Sequence, residues 1–264
     1  GTDINDVKIV ATTIKLQGNI TTELDPGTGG GTTDDDAASI DFDGAVVIDA
    51  ATVTLDTGNG TLDFSGALNS TATAGRNLTI DSGSGTTTFN GAIGTATTGG
   101  SGALGNLLVN TGADGDATDE TGNITFATNA DIGTNTAAGA ARILVGNGAT
   151  GTLALNGSFY TSSGGDSTTA AQIYTANAFT MGGTDPDFNS LGAAAAINFV
   201  DGATSDIVLA NTADLTIQTN NGTIDIEPQI KGTDGGGGDS TNTTVTLNAS
   251  GSSLGAGAVI TLDN

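Results

Sequence analysis

Residues 60–91 read GTLDFSGALNSTATAGRNLTIDSGSGTTTFNG and contain one complete turn of a repeat. Gly60, Phe64 and Gly66 return as Gly85, Phe89 and Gly91, each 25 residues further on. Inside the turn are two alternating runs, Leu62-Asp63-Phe64 and Leu78-Thr79-Ile80, with a smaller apolar piece, Ala67-Leu68, between them. Period-two alternation sends the apolar pair of each run to one side and the middle residue to the other. Short strands and glycine corners at a repeating interval describe a chain that coils upon itself.

Both runs recur along the chain. The first type returns as Ile14-Lys15-Leu16, Ile40-Asp41-Phe42, Ile124-Thr125-Phe126, Leu153-Ala154-Leu155, Ile197-Asn198-Phe199 and Ile224-Asp225-Ile226. A glycine often follows two residues later, at Gly18, Gly44, Gly66, Gly91 and Gly157, where a bend or a close backbone approach is expected. The second type returns as Val53-Thr54-Leu55, Leu107-Leu108-Val109, Ile143-Leu144-Val145, Leu215-Thr216-Ile217 and Ile260-Thr261-Leu262. Turns such as Thr57-Gly58-Asn59-Gly60 and Ser82-Gly83-Ser84-Gly85 follow it, built from residues that tolerate left-handed backbone angles. Insertions at residues 69–75, 95–102, 134–139, 161–169 and 232–242 are expected at one position of the repeat, forming a flank of loops. Residues 180–196 carry no assignable strand, and no segment shows a sustained helical period.

A β-sandwich would space its strands by hairpins, ~8–12 residues apart. The 25-residue register, with equivalent residues in the same order, favours a coil. The pattern predicts one all-β domain over residues 1–264, a right-handed parallel β-helix (β-solenoid) of roughly seven or eight turns, ~35–40 Å long at the strand spacing. Its inner ladders would hold Ile40, Phe42, Leu55, Leu62, Phe64, Leu78, Ile80, Phe89, Ile124, Phe126, Leu153 and Leu155.

Composition narrows the function classes. Aspartate and glutamate outnumber lysine and arginine by 29 to 5, a net charge of −24. Such a chain repels nucleic acid and anionic lipid and attracts cations. Cysteine, histidine and tryptophan are absent, which removes the Ser-His-Asp triad, the thiol nucleophile and the ordinary zinc site. No apolar run approaches the ~18 residues of a membrane span, so no membrane insertion is expected. The sequence begins with glycine and shows no signal peptide, which suggests a mature or excised segment.

The runs ATVTLDTGNGTLDFSGAL and NLTIDSGSGTTTFNGAIG resemble the β-strand repeats of giant bacterial surface proteins, similar in style to filamentous-haemagglutinin-like adhesins and autotransporter passengers. The resemblance spans most of the chain and is clearest over residues 39–156. It implies a solenoid displayed outside a cell, as adhesin or as filament, sheath or surface-layer material, with no catalytic residues to carry over. A surface glycan or protein receptor would be its partner.

Two chemistries remain open to the acidic residues. Calcium takes several carboxylate and carbonyl oxygens, and the candidate clusters are Asp34-Asp35-Asp36, Asp41/Asp43/Asp63, Asp114/Asp116/Asp119/Glu120 and Asp185/Asp187. None matches an EF-hand loop or a GGxGxD repeat, and solvated turn aspartates are the plainer reading. A calcium-dependent carbohydrate-binding module is the corresponding function. Alternatively, Asp41, Asp43 and Asp63 on one face would serve a β-helix polysaccharide-degrading enzyme as paired carboxylates. Few basic or aromatic residues are available to bind a sugar chain, so a non-enzyme is expected. Nine Asn-X-Ser/Thr triplets begin at Asn19, Asn59, Asn69, Asn77, Asn123, Asn156, Asn221, Asn242 and Asn248; Asn69 and Asn242 are expected to be the most accessible to glycosylation.

Neither end shows a polar cap, although solenoids need one to protect open strand edges. Joining Leu262-Asp263-Asn264 to Gly1-Thr2 nearly reproduces Thr219-Asn220-Asn221-Gly222-Thr223. Head-to-tail self-association into an open filament, or membership of a longer repeat array, is therefore expected.

Overall fold

The computed structural model describes residues 6–22, 38–71, 75–95, 102–112, 120–147, 150–165, 169–183, 185–202, 206–210, 213–232, 244–249 and 259–262. Short strands stack in parallel, each on its own copy one turn away, and no helix occurs among the described residues. The fold is a parallel β-solenoid with three faces.

The first face carries Ser39–Ile48 at its start, then Leu62–Phe64, Thr87–Phe89, Ile124–Phe126 and their successors to Gln229–Gly232. One inward column runs Val7, Ile40, Leu62, Thr87, Ile124, Leu153, Phe179, Ile207, Ile230. The second face is thinner: Val46, Leu68, Ile93, Ile132, Tyr160, Phe188, Ile217 and Leu247 follow one another, partly through single bridges. The third face takes Thr52–Asp56, Asn77–Asp81, Leu104–Val109, Ala140–Val145 and on to Ile260–Leu262. Each face has nine levels among the described residues, which therefore make nine turns.

Seven or eight turns were expected, and the difference has a physical origin. Residues 180–196 include the end of strand Ala178–Met181 and the whole of Asp187–Ala193, whose buried residues are Phe188, Asn189, Ser190 and Gly192. Polar inward residues there hide the alternation. Face assignment also needs correction for four runs. Ile14 and Leu16 lie on the second face, paired with Val46 and Ile48. Ile197 and Ile224 belong to the third face, and Leu215 to the second. Alternation separates inside from outside but does not say which side of a triangle a strand occupies.

The expected inner ladder residues are all buried. Phe42, Phe64, Phe89 and Phe126 form a stack with ring centroids 5.2, 5.1 and 4.8 Å apart, continued edge-on by Tyr160 at 5.9 Å. Two polar residues enter these columns and are satisfied there. Thr87 shares a 2.8 Å hydrogen bond with Ser82 Oγ. Gln172 donates to the Tyr160 and Asn189 carbonyls and to Ser162 Oγ, and accepts from the Tyr174 hydroxyl.

The glycine corners are required by close approach. A Cβ on Gly66 would stand 2.5 Å from the Gly44 carbonyl oxygen, and one on Gly85 would stand 1.9 Å from the Gly60 oxygen. Rungs packed at ~4.8 Å leave no room for a methyl where backbones stack face to face. Insertions 69–75, 95–102, 134–139 and 161–169 do share one corner, between the second and third faces. There Gly133–Thr134 and Ala137–Ala138 form a small antiparallel hairpin. Residues 232–242 are the exception, since they join the first face to the second.

Candidate functional site

The densest charged constellation lies on the outer side of the first face, at its N-terminal end. Register places Lys8 beside Asp41 and Asp41 beside Asp63. Lys8 Nζ contacts Asp41 Oδ2 at 2.5 Å. Asp63 accepts from Asn90 Nδ2 at 2.7 Å and from Ser65 Oγ at 3.4 Å. Burial, then the neighbouring Asp41 charge, push the Asp63 carboxyl above the usual aspartate range. The hydrogen bond and charge of Asp41 raise the Lys8 ammonium. Asp43 follows on the same strand and is exposed. A groove of ≈ 410 Å³ passes over Asp6, Lys8, Ser39, Asp41, Thr61 and Asp63.

This geometry brings Asp41 and Asp63 together as expected, yet supplies a counter-charge of its own. Lys8 occupies the position where the repulsion of stacked aspartates invites a cation. The two carboxyls are nevertheless unlike: one is ion-paired, the other is held toward its neutral form. A carboxyl whose ionisation is disfavoured is the kind that general acid catalysis uses, but among the described residues no aromatic side chain lines the groove to hold a sugar ring.

The second expected cluster is only partly within view. Asp114, Asp116 and Asp119, like Asp34, Asp35 and Asp36, lie outside the described residues. Glu120 is buried, with Oε1 accepting from Gly112 N–H at 2.6 Å and Oε2 from Asn147 Nδ2. It closes the corner beside Asp56 and Asp81. Those two aspartates cap their own turns by accepting from Gly58 and Gly83 N–H at 2.9 and 3.1 Å. Asp185, at φ 53°, accepts from Asp214 N–H at 3.0 Å, and burial raises the Asp187 carboxyl. Among the described residues, no three acidic side chains converge in an arrangement that would hold a metal ion.

A different role for these side chains went unread in the sequence. Asn19, Asn59, Asn77, Asn123 and Asn156 each use Oδ1 to accept a backbone N–H one rung later, from Thr54, Ser84, Asn106, Thr152 and Gly182, at 2.8–3.0 Å. Asp6, Asp131, Asp185 and Asp214 do the same to Ser39, Ser158, Asp214 and Thr244. Five of the nine glycosylation-like triplets are thus rung-to-rung staples. Asn69 sits within strand Leu68–Ser70 with its Oδ1 buried, which removes the basis for calling it the accessible one; Asn242 lies outside the described residues. The signal was available: Asn19, Asn77 and Asn123 each directly precede an apolar strand residue.

The remaining unusual surfaces are the two ends. Among the described residues, the exposed large apolar side chains are Val10, Leu191, Val245, Val259, Ile260 and Leu262. All but Leu191 belong to the first or ninth rung, with Val10 66% and Leu262 59% exposed. Among the described residues, strand Asp6–Leu16 pairs only with Ser39–Ile48, and Gln229–Gly232, Val245–Asn248 and Ile260–Leu262 each pair on one side only.

Comparison with protein-family models, with curated proteins and with solved structures finds no match. The likeness to bacterial surface repeats therefore rests on the repeat pattern alone.

Proposed function

We propose that this chain is an extracellular structural rod, a component of a filament, sheath or surface layer or the stalk of an adhesin, extended by stacking of solenoid turns. The observation that supports it is the parallel stack of nine rungs, whose first and ninth rungs pair on one side only among the described residues, with Val245, Val259, Ile260 and Leu262 exposed on the ninth. Unpaired edges are templates for further pairing, and a head-to-tail contact between like units makes an open fibre. The acidic exterior keeps such rods dispersed sideways. Electron microscopy and sedimentation of the purified chain test the reading. Rods that lengthen with concentration are expected; particles that stay monomeric at all concentrations and salts overturn it.

Calcium enters this proposal as a stabiliser of the acidic flank around Asp41, Asp43 and Asp63. Melting in calcium against sodium at equal ionic strength is the measurement; equal shifts remove calcium. Raised Asp63 beside ion-paired Asp41 supports a second reading, hydrolysis of a polysaccharide. Loss of viscosity in neutral and acidic polysaccharide solutions, abolished by Asp63→Asn, would establish it in place of the scaffold.

A further inference from the structure

Five asparagines in this chain directly precede a glycine: Asn59, Asn90, Asn147, Asn156 and Asn221. In such a pair the glycine nitrogen can attack the asparagine side-chain amide and close a succinimide ring, because no Cβ shields that nitrogen. Folding decides which pair is free to react, since a bonded N–H and a bonded amide must both be released first. We infer that Asn90 is a self-modifying position: it converts to aspartate and isoaspartate ahead of the other pairs, with the Asp63 carboxyl as proton donor to the departing ammonia.

The structure separates the pairs clearly. Asn59 is locked twice: its Oδ1 accepts from the Ser84 N–H and hydroxyl at 2.9 and 2.8 Å, and the Gly60 N–H donates to the Thr57 carbonyl at 2.9 Å. Asn156 is locked likewise, its Oδ1 accepting from Gly182 N–H at 3.0 Å while Gly157 N–H donates to the buried Tyr160 hydroxyl at 2.9 Å. Asn221 stands at φ 63° and Gly222 is buried, away from the hydroxide that must strip its N–H. Gly148 lies outside the described residues, so Asn147 has no place in the comparison. Asn90 differs on each count. It is exposed, Gly91 is half-buried, and among the described residues no acceptor takes the Gly91 N–H. Its amide nitrogen donates to Asp63 Oδ1 at 2.7 Å, which holds the side chain in place beside a carboxyl.

The chemistry uses only these groups and water. Gly91 N, deprotonated by hydroxide, bonds to Asn90 Cγ and leaves the negative charge on Oδ1. Asp63 passes its proton to Nδ2, the Cγ–Nδ2 bond breaks, and ammonia departs as the carbonyl re-forms. Asp63 then recovers a proton from solvent. Water opens either carbonyl of the succinimide, giving aspartate or isoaspartate, with no oxidant or reductant. Burial and the Asp41 charge keep the Asp63 proton in place to higher pH than in an ordinary aspartate, which suits it to the donor's part. The product replaces the amide donor to Asp63 with a carboxylate, on a face whose Lys8 is already paired with Asp41.

Incubation of the folded chain at neutral pH, followed by peptide mapping with fragmentation that resolves isoaspartate, ranks the pairs. Asn90 should convert fastest, ahead of Asn59 and Asn156 by about 25-fold, roughly 5-fold for each hydrogen bond they must open. In concentrated urea the rates of Asn59, Asn90, Asn156 and Asn221 should draw level, because the following glycine alone then sets them. Asp63→Asn should slow Asn90 about 10-fold and leave Asn221 unchanged. In the unmodified chain, proton donation by Asp63 should make the native Asn90 rate climb less steeply with pH than the rate in urea. An Asn90 that converts no faster than Asn59, Asn156 or Asn221, or a lead for Asn90 that survives in urea, overturns the assignment. An unchanged rate in Asp63→Asn, or equal pH slopes with and without urea, overturns the part given to Asp63.

Discussion

The carboxyl of Asp63 is harder to ionise than an ordinary aspartate, because burial strips it of water and Asp41 stands beside it. Its folded form holds a proton more tightly than the unfolded chain does. Between the unfolded value of 3.8 and the raised folded value, stability therefore falls as pH rises. Asp63→Asn should raise the unfolding free energy at pH 7, by less than about 1 kcal/mol because solvent screens the site, and the gain should vanish below pH 3.8. A denaturation series across pH measures this. Asn77 carries a second prediction at this scale. Asn77→Ala removes the acceptor for the Asn106 N–H and should cost about 1 kcal/mol, whereas Asn77→Asp keeps the acceptor and should cost far less. Asp cannot carry an N-linked glycan, so the pair also separates staple from sugar. Gly85→Ala drives a methyl into the Gly60 carbonyl and should destabilise by about 2–3 kcal/mol in urea unfolding.

Strands of three residues hold only because each is bonded to copies above and below and buries its apolar pair. Phe89 lies between Phe64 and Phe126, fully buried, so Phe89→Ala should cost about 3–5 kcal/mol and loosen both neighbouring rungs. This scale is also where the sequence was most readable. Apolar–polar–apolar runs such as Leu62-Asp63-Phe64 announce their inward pair regardless of neighbours, and the spacing of Phe64 and Phe89 announces their stacking. Three things were hidden. The face on which Ile197 or Ile224 lies depends on corners, not on alternation. Gln172 is polar yet fully buried, because Tyr160, Ser162, Asn189 and Tyr174 together satisfy its amide. Asp41 reads as half of an ion site, but its partner is Lys8, 33 positions away in the chain and adjacent only once the first two rungs have formed. Long-range pairing of this kind leaves no local trace.

Across the whole molecule, contacts join each rung almost entirely to its neighbours, so stability is close to a sum of rung and interface terms. Among the described residues, the first and ninth rungs have one interface and the rungs between them two. Hydrogen exchange should therefore be fastest in Asp6–Leu16 and Ile260–Leu262 and slowest near Ile124–Phe126; uniform protection would contradict a linear stack. End-to-end assembly should slow exchange at both extremities and leave the middle unchanged. The orientation of the ladder also decides how the rod answers a pull. Its backbone bonds point along the long axis, so tension applied at the two extremities bears on one level at a time instead of shearing all of them together. On the first face, each level that peels away releases from the 22 residues between Ile40 and Leu62 to the 37 between Thr87 and Ile124. At ~3.4 Å per residue that is roughly 75–125 Å of slack per event. In the proposed role of a stalk, a ladder oriented this way would yield in long, discrete steps and lengthen before it parts.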